Sequence, residues 1–324
     1  MALIIKNLSK KFDDNWILKD VSLEVEKGEI LGLFGVVGEG KTTTIRVIAG
    51  ILKNDGGVIS YDSVDLTDTP CDKRGFHFPN LTNEAFWKSL FNTQKTSQLA
   101  DGEGQVLALE DALYKAENVL LLDNQFCFMD KLTREKSCEK LRQTVKEKKL
   151  AVLLATNDYD EVFSICDRVA ILHKGEIIQT GTPREVYENP NLATAARVTG
   201  RNNLIEAKCL NSCKSSMPEF LTLKGEHRLF TDRVEENALD AINQNVTLAI
   251  RPEHISISFG ASFPEDNLLK AKITNIIFRG ETTIIKLDAN GLELEALVLR
   301  LVGLNIGDEC MVGLPPDRIL VLKN

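Results

Sequence analysis

A glycine-rich segment near the start of the chain has the residue types and the spacing that bind a phosphate group. It fits the pattern G-x-x-x-x-G-K-[ST] and consists of Gly35, Val36, Val37, Gly38, Glu39, Gly40, Lys41, Thr42 and Thr43. Glycines allow the main chain to wrap closely around a phosphate, so that successive N–H groups point at the anion. Lys41 is expected to reach the β- and γ-phosphates of a nucleotide, and the Thr42 hydroxyl is expected to bind Mg²⁺.

The sequence on either side of this segment supports phosphate binding. A strand-like run, Glu29–Phe34, precedes the segment, and a helix-like run, Thr42–Ala49, follows it. A helix that begins at the phosphate adds its partial positive charge. A glycine-rich turn that has no ligand is the alternative, and the two flanks argue against it.

A carboxylate further along the chain is a candidate Mg²⁺ ligand. Val119–Asp123 is a continuous apolar run that ends in an aspartate. Such a run is typical of a buried parallel strand. Downstream of a phosphate loop, Asp123 is therefore expected to bind the metal, and a strand-end carboxylate without that role is the alternative.

The pattern of elements predicts an α/β fold followed by an all-β domain. Up to about residue 190, strand-like runs alternate with helical stretches such as 105–117 and 131–149, which predicts a mostly parallel sheet. Met1–Asn7 reads as an edge strand. After about residue 200, short strand-like runs separated by turns are typical of a small barrel-like β domain. We expect a nucleotide-binding domain at 1–200, a linker with the first strands at 201–240, and the β domain at 241–324.

Composition and charge exclude several classes of protein. The 324 residues carry a net charge of −8, which argues against a nucleic-acid groove because backbone phosphates need clustered Lys and Arg. The longest apolar runs fall short of the roughly 18–20 residues that a membrane helix needs. The cysteines are scattered, and the only close pair, Cys209 and Cys213, has no second pair to complete a zinc site. Free thiols in a reducing cytosol are the expected state.

Several motifs in order resemble the nucleotide-binding subunits of ATP-binding cassette (ABC) transporters over residues 1–195. The phosphate loop is similar to their Walker A motif, Val119–Asp123 to Walker B, and Met129–Asp130 to the end of the D-loop. Thr182–Pro190 is similar to the segment that closes this domain in the importer branch. Further on, Leu248–Ile255 resembles the accessory TOBE domain of importer ATPases.

The resemblance implies an α/β P-loop domain with a mostly parallel sheet and a small all-β, OB- or TOBE-like domain. It implies ATP and Mg²⁺ as cofactors, with Phe12 stacked on adenine; Phe12 as a core residue is the alternative. The implied partners are a second ABC ATPase subunit, in a homo- or heterodimer, transmembrane permease subunits and, indirectly, an extracytoplasmic solute-binding protein. The implied location is cytoplasmic and peripheral, on the inner face of the cell membrane.

Two departures from the family pattern predict weak ATP hydrolysis. The family's glutamate after the Walker B aspartate polarises the attacking water, and Asn124 replaces it with an amide that cannot accept a proton. The family's switch histidine is replaced by Asn157, which cannot supply an imidazolium charge. A simple turn formed by Asn157 and Asp158 is the alternative.

Two further departures affect the surfaces that face partners. Leu99–Glu103 replaces the family's LSGGQ motif, and carboxylates at Asp101 and Glu103 would repel a triphosphate held by the partner. The helical subdomain is reduced to residues 75–104, and Phe78–Asn80 is similar to a remnant of its Q-loop. A minimal helix at Ala85–Phe91 that still docks a permease is the alternative to lost docking.

These observations favour an importer ATPase subunit that binds Mg-ATP, dimerises to power solute uptake and hydrolyses ATP poorly at its own site. A non-catalytic, nucleotide-sensing regulatory or scaffold protein derived from such an ATPase is the alternative, and an eroded protein is a third reading. Two smaller questions stay open. Asp130 is a candidate both for the end of the D-loop and for the cap of the helix that begins at Lys131. Arg251 and Glu253 could form a small-ligand site, or an intersubunit or structural ion pair.

Overall fold

A computed structural model describes residues 3–79, 101–210, 217–233, 242–259, 267–300 and 303–322. The chain forms two compact units, Met1–Glu188 and Asn189–Asn324, and each is described by itself. The predicted helix at Ala85–Phe91, the first two residues of Leu99–Glu103, and residues 80 and 213 lie outside the described ranges. Within those ranges no helix is long and apolar enough to cross a lipid bilayer.

The first unit alternates strands and helices, as the apolar pattern predicts. Its strands are β1 (Leu3–Phe12), β2 (Asn15–Val25), β3 (Ile30–Phe34), β4 (Gly56–Tyr61), β5 (Val64–Asp65), β6 (Phe76–His77), β7 (Val119–Asp123), β8 (Ala151–Thr156), β9 (Arg168–His173) and β10 (Glu176–Gly181). Its helices are α1 (Lys41–Ile48), α2 (Asp101–Lys115), α3 (Lys131–Lys148), α4 (Tyr159–Ile165) and α5 (Pro183–Glu188).

The central sheet confirms the predicted mostly parallel α/β architecture. Its strand order is β10-β9-β3-β8-β7-β6, and every neighbouring pair is parallel except β9 with β10. Every residue of β3 and β8 is buried, which explains why these strands are continuous apolar runs rather than alternating ones. The register pairs Phe34 with Thr156 and Asp123 with Ala155, so the loops that follow β3, β7 and β8 start at one edge of the sheet.

A second, antiparallel sheet has the order β2-β1-β4-β5. It corrects the prediction that the chain starts with an edge strand, because β1 is paired on both sides, with β2 and with β4. β2 is the hairpin partner of β1, whereas β4 follows only after β3 and α1, and apolar residues of all these elements form one core. The alternation in the first residues therefore predicted a strand correctly but not its position in the sheet.

In its described residues the second unit consists of strands with one short α-helix and two 3-10 turns, at Pro252–His254 and Pro316–Arg318. Its elements are α6 (Ala193–Val198), β11 (Asn203–Cys209), β12 (Glu219–Thr222), β13 (Arg228–Phe230), β14 (Asn245–Ile250), β15 (Ser256–Ser258), β16 (Asn267–Phe278), β17 (Thr283–Ala289), β18 (Leu292–Val298), β19 (Glu309–Leu314) and β20 (Leu320–Leu322). The strands form two five-stranded sheets, β13-β12-β11-β14-β20 and β15-β19-β16-β17-β18. Apolar residues of both sheets share one core, which confirms the predicted all-β domain.

The C-terminal end of α1 is fixed by one buried guanidinium. Arg74 donates from Nη1 to the carbonyl oxygens of Val47 (3.0 Å) and Ile48 (2.7 Å), two acceptors that a helix end leaves without an intrahelical partner. Its Nε and Nη2 atoms donate to Thr69 and Thr67. Because α1 follows the phosphate loop directly, this residue holds the far end of the element that carries the loop.

We predict that Arg74→Ala lowers the free energy of unfolding by about 3 kcal/mol, because the carbonyl groups of Val47, Ile48, Thr67 and Thr69 each lose a hydrogen bond, and only that of Val47 is known to keep another, from the nitrogen of Gly50. Arg74→Lys should recover part of this loss, and removal of the neighbouring exposed Lys73 side chain should have little effect. Denaturant unfolding of the three variants measures the differences. An Arg74→Ala protein as stable as wild type would contradict the role of this guanidinium.

Candidate functional site

The phosphate loop connects β3 to α1, and its glycines are required by close packing and by backbone conformation. A Cβ atom at Gly35 would overlap the carbonyl oxygen of Leu172 at the end of β9. Gly38 and Gly40 have φ angles of 92° and 102°, in the region that glycine adopts without strain. A Cβ at Gly40 would also lie 2.9 Å from a methyl carbon of Leu18. The loop can therefore follow this course only because Gly35 and Gly40 lack side chains and because Gly38 and Gly40 adopt positive φ angles without strain.

The Lys41 side chain is buried beneath the loop. Its ammonium group donates to the carbonyl oxygens of Gly35 (2.7 Å) and Val36 (2.8 Å). Burial lowers the pKa of Lys41, while the nearby carboxylates of Asp123 and Glu39 act in the opposite direction. The arrangement keeps a positive charge next to the space that the loop encloses.

Asp123 ends β7 beside the start of α1. Its carboxylate accepts a hydrogen bond from the Thr42 hydroxyl, and the Asn124 amide nitrogen lies 3.2 Å from its Oδ1. Burial raises the pKa of Asp123, opposed by the Thr42 hydrogen bond and by the charges of Arg46 and Lys41. The hydroxyl and carboxylate oxygens are the type of donor that Mg²⁺ prefers, so these two residues fit the predicted metal.

One cavity brings most of the predicted residues together. It has a volume of about 320 Å³ and is lined by Phe12, Ile17, Val37, Gly38, Gly40, Lys41, Thr42, Thr43, Asn124 and Asn157. Three of the five segments that converge here are the loops after β3, β7 and β8, which leave the same edge of the central sheet, and the other two are β1 and β2 of the antiparallel sheet. Gly35, Val36 and Glu39 belong to the loop but do not line the cavity, and neither does Asp123, which is hydrogen-bonded to Thr42 of the lining.

Phe12 lies on the wall of the cavity at the end of β1. Its ring is 45% exposed, which rules out the alternative of a core residue. The ammonium group of Lys10 lies 5.4 Å from the ring centroid. An exposed aromatic face at the mouth of a phosphate-binding cavity suits stacking on a base.

The two asparagines that replace the family's catalytic residues both reach the cavity. Asn124 has a φ of 48°, a left-handed conformation that asparagine adopts more readily than most residues. Its main-chain nitrogen donates to Ala155 on β8 at 2.9 Å. Asn157 is exposed on the same wall, and the neighbouring Asp158 caps α4 by accepting from the nitrogen of Asp160. The turn and the cavity position of Asn157 are therefore compatible.

The segment that replaces LSGGQ differs from expectation in its helix boundary. The sequence predicts a helix from residue 105, whereas α2 already begins at Asp101. Its first turn packs closely on the loop after β7, since a Cβ at Gly102 would lie 2.7 Å from the carbonyl oxygen of Phe128. Glu103 is exposed in this turn, so its carboxylate is available to a partner.

Asp130 caps a helix, as one of its two readings predicted. It is the residue before α3, and its carboxylate accepts from the main-chain nitrogen (3.0 Å) and the hydroxyl (2.6 Å) of Thr133. These two hydrogen bonds lower the pKa of Asp130. The cap fixes where the loop after β7 ends.

Sequence reasoning missed two contributors to the site. Ile17 lines the cavity from β2, and no motif singled it out among the other apolar strand residues. Gln105 is buried on α2, where its side chain accepts from the nitrogen of Phe128 (2.9 Å) and donates towards the carbonyl oxygen of Asn124 (3.4 Å). A glutamine within the apolar face of a predicted helix was the available signal for the second one.

Among the described residues, no cluster of three or more His, Cys, Asp or Glu side chains is arranged to hold a metal ion. The fold and the site define a phosphate-loop nucleotide-binding protein of the ATP-binding-cassette class.

Comparisons with known proteins agree with this class. The family model for "ABC transporter" matches residues 18–88, and the model for "TOBE domain" matches residues 248–322. Two solved structures share the fold of the first unit. One is a nucleotide-free ATP-binding cassette (TM-score 0.51, 19% identity, 56% of this chain and 91% of the other), and one is a cassette in its ADP conformation (TM-score 0.54, 18% identity, 61% of this chain and 97% of the other).

Curated relatives match both units. Spermidine/putrescine import ATP-binding protein PotA of Acetivibrio thermocellus is 30% identical over 317 residues, which cover 86% of this chain and 85% of the relative. The protein of the same name from Thermotoga maritima is 30% identical over 326 residues, 88% of this chain and 86% of the relative. The chain belongs to the family of ABC-importer ATP-binding subunits with a C-terminal TOBE domain.

We predict that Asp123→Asn makes the nucleotide-free protein more stable at pH 7 and removes the stabilisation that Mg-ATP gives to wild type. Burial raises the pKa of this carboxyl group, so its charged form destabilises the folded state, whereas an amide oxygen can still accept from Thr42. We expect the midpoint of thermal unfolding without ligand to rise by about 2–4 °C.

Thermal unfolding with and without Mg-ATP measures both effects, and Asp14→Asn, at an exposed position, is the matched control. Stabilisation of Asp123→Asn by Mg-ATP equal to that of wild type would contradict the predicted metal role.

Proposed function

We propose that this chain binds Mg-ATP in the cavity beside the phosphate loop and works as an importer subunit whose own site hydrolyses ATP slowly. The convergence of the loop and the two asparagines on one cavity, with Asp123 hydrogen-bonded to Thr42 of its lining, carries the proposal. The main-chain N–H groups of residues 35–43 would hold the phosphates, Lys41 would contact the β- and γ-phosphates, and Thr42 and Asp123 would hold Mg²⁺. Phe12 would stack on the adenine.

Slow hydrolysis follows from what the cavity wall presents to an attacking water. Both residues at the catalytic positions are neutral amides, and Asn124 already lies within hydrogen-bonding distance of the Asp123 carboxylate. An amide can orient a water molecule but cannot take its proton, and loss of general-base help lowers rates by about 10²–10⁴. Asn157 can donate a neutral hydrogen bond to a phosphate but adds no positive charge.

We propose a dimer with a second ABC ATPase subunit as the working form. The exposed Glu103 at the start of α2 is expected to weaken the nucleotide site that the partner's phosphate loop would form with it, because like charges repel. In a homodimer both nucleotide sites would contain this carboxylate, whereas in a heterodimer only one would, so we propose a different ABC ATPase subunit, one with intact catalytic residues, as the partner. Transmembrane permease subunits, and indirectly an extracytoplasmic solute-binding protein, complete the proposed importer at the inner face of the cell membrane.

The relatives direct the choice of transported solute for testing. They are named for import of spermidine and putrescine, so polyamine uptake is the activity we propose to assay first.

We also propose the division of the chain into domains that the sequence predicts. It comprises a nucleotide-binding domain at 1–200 with a reduced helical subdomain at 75–104, a linker with the first strands at 201–240, and the β domain at 241–324.

We predict that purified wild-type protein binds Mg-ATP but turns it over slowly, and that Asn124→Glu with Asn157→His increases turnover by about tenfold or more. The gain is expected to stay below that of a fully active relative, because the segment 99–103 is unchanged. Isothermal titration gives affinity and phosphate release gives turnover. Adding Lys41→Met to the double variant should abolish the gain, which shows that it arises at this site. Wild-type turnover at rates normal for the family would refute the slow-hydrolysis proposal.

The alternative, a nucleotide-sensing regulatory or scaffold protein, predicts a different set of partners. If the importer proposal is right, tagged chain extracted from native membranes in mild detergent co-purifies with permease subunits, and this association survives a salt wash. Lys41→Met protein should still assemble, since docking does not require nucleotide chemistry. Recovery without any transmembrane subunit would favour the regulatory alternative.

A further inference from the structure

A carboxylate within the phosphate loop has partners that the proposed chemistry does not explain. The side chain of Glu39 is only 12% exposed. Its Oε1 lies 3.1 Å from Nδ1 of His173, and its Oε2 accepts a short hydrogen bond from the main-chain nitrogen of Lys174. Both partners belong to the end of β9 and the tight turn that leads to β10, far from Glu39 in sequence.

A negative charge at this position is unfavourable in a loop that binds an anion, unless the charge is engaged elsewhere. Glu39 does not line the cavity, whereas its neighbours Gly38 and Gly40 do. The carboxylate therefore points away from the bound phosphates and towards the turn. The two contacts with the turn satisfy the hydrogen-bonding capacity of the Glu39 carboxylate on that side of the loop. A negative charge held there is compatible with anion binding on the other side of the loop.

The turn that receives Glu39 also contacts the other side of the cavity. Lys174 and Gly175 have φ angles of 49° and 82°, the backbone of a two-residue hairpin turn. The carbonyl oxygen of Gly175 accepts from the nitrogen of Lys19 at 2.8 Å, and a Cβ at Gly175 would overlap the carbonyl oxygen of Ile17. One turn thus contacts the phosphate loop through Glu39 and the strand that carries Ile17, a residue of the cavity wall.

We propose that Glu39 is a positioning residue. Its hydrogen bonds hold the phosphate loop next to the β9–β10 turn, and they so fix the position of the loop relative to Ile17 on β2, a residue of the cavity wall. The inference rests on the proposed nucleotide site. It assigns a role to the one charged residue of the loop that the G-x-x-x-x-G-K-[ST] pattern leaves unspecified. The carboxylate is not a group that contacts the nucleotide; it acts through the conformation of the loop.

The test compares Glu39→Ala, Glu39→Gln and His173→Ala with wild type. Glu39→Ala removes the contacts of the carboxylate with His173 and Lys174. It should weaken binding of Mg-bound, non-hydrolysable ATP by about tenfold, which corresponds to about 1.4 kcal/mol. Glu39→Gln keeps an oxygen that accepts from the Lys174 nitrogen and should stay within about threefold of wild type. Glu176→Ala, on the same hairpin, removes an exposed acid whose nearest ammonium group is 3.9 Å away, and should leave affinity unchanged.

A second readout separates positioning from general stability and does not need nucleotide. Hydrogen exchange in the nucleotide-free protein should be faster at residues 35–40 and 172–176 in Glu39→Ala, with protection of β3, β7 and β8 unchanged. In the double variant Glu39→Ala with His173→Ala, affinity should fall no further than in Glu39→Ala alone, because both changes break one contact.

The outcomes are distinct. Wild-type affinity together with wild-type exchange at residues 35–40 in Glu39→Ala overturns the positioning role. A Glu39→Gln protein as impaired as Glu39→Ala also overturns it, since the hydrogen bond would then not be the relevant feature. If wild type itself fails to bind Mg-ATP, the proposed function is wrong, and the exchange data on nucleotide-free protein still decide whether Glu39 holds the loop.

Discussion

The close contact between the phosphate loop and the end of β9 is the constraint on which the site depends. The loop can turn at Gly35 only because no side chain separates its backbone from the carbonyl oxygen of Leu172. The burial of β3 between β8 and β9 fixes where this contact forms. As a result the loop, the end of β7 and the end of β8 start from one edge of the sheet, and a single cavity can collect side chains from segments far apart in sequence. The packing of the folded chain thus positions the backbone N–H groups of the loop in the absence of a ligand.

The structure separates the placement of the site from its chemistry. Asn124 adopts a left-handed conformation, and its main-chain nitrogen donates a hydrogen bond to Ala155 on β8. This geometry depends on the backbone and does not require the side-chain carboxylate of a glutamate. Asparagine tolerates this conformation at little expense, so the loop after β7 keeps its course while the group that would take a proton is absent. The same holds at Asn157, where Asp158 and Thr156 fix the turn. The backbone of both loops therefore does not depend on the glutamate and histidine that the family has at these positions.

Local sequence patterns were sufficient to predict the strands, the helices and the phosphate loop. The features that depend on contacts between residues far apart in sequence could not be predicted. The glycine spacing indicated the phosphate loop because its physical requirement is local. The apolar runs indicated β3, β7 and β8 because burial on both faces leaves no alternation. The interior position of β1 depends on pairing with β4, across a helix, and no periodicity encodes it. The contact of Glu39 with His173 joins residues 134 positions apart, and the sequence shows only an acid in a loop that binds anions. Residues 101–104 were missed as helix because glycines are poor helix formers, and packing on the loop after β7 overrides that preference.

Lys41 shows how this arrangement turns nucleotide binding into an exchange of partners. Its ammonium group is already satisfied by two carbonyl oxygens of the loop, and it lies in the field of Asp123 and Glu39. In the proposed site, a triphosphate would gain from this lysine only the difference between phosphate and carbonyl contacts, and it would meet the repulsion of Asp123. Mg²⁺ would change that balance, because the ion would neutralise both the phosphates and the carboxylate. Under the proposed function, the buried aspartate would therefore make binding depend on the metal, and the neutral amide of Asn124 would leave this dependence intact while providing no base. A site of this kind would hold Mg-ATP and turn it over slowly.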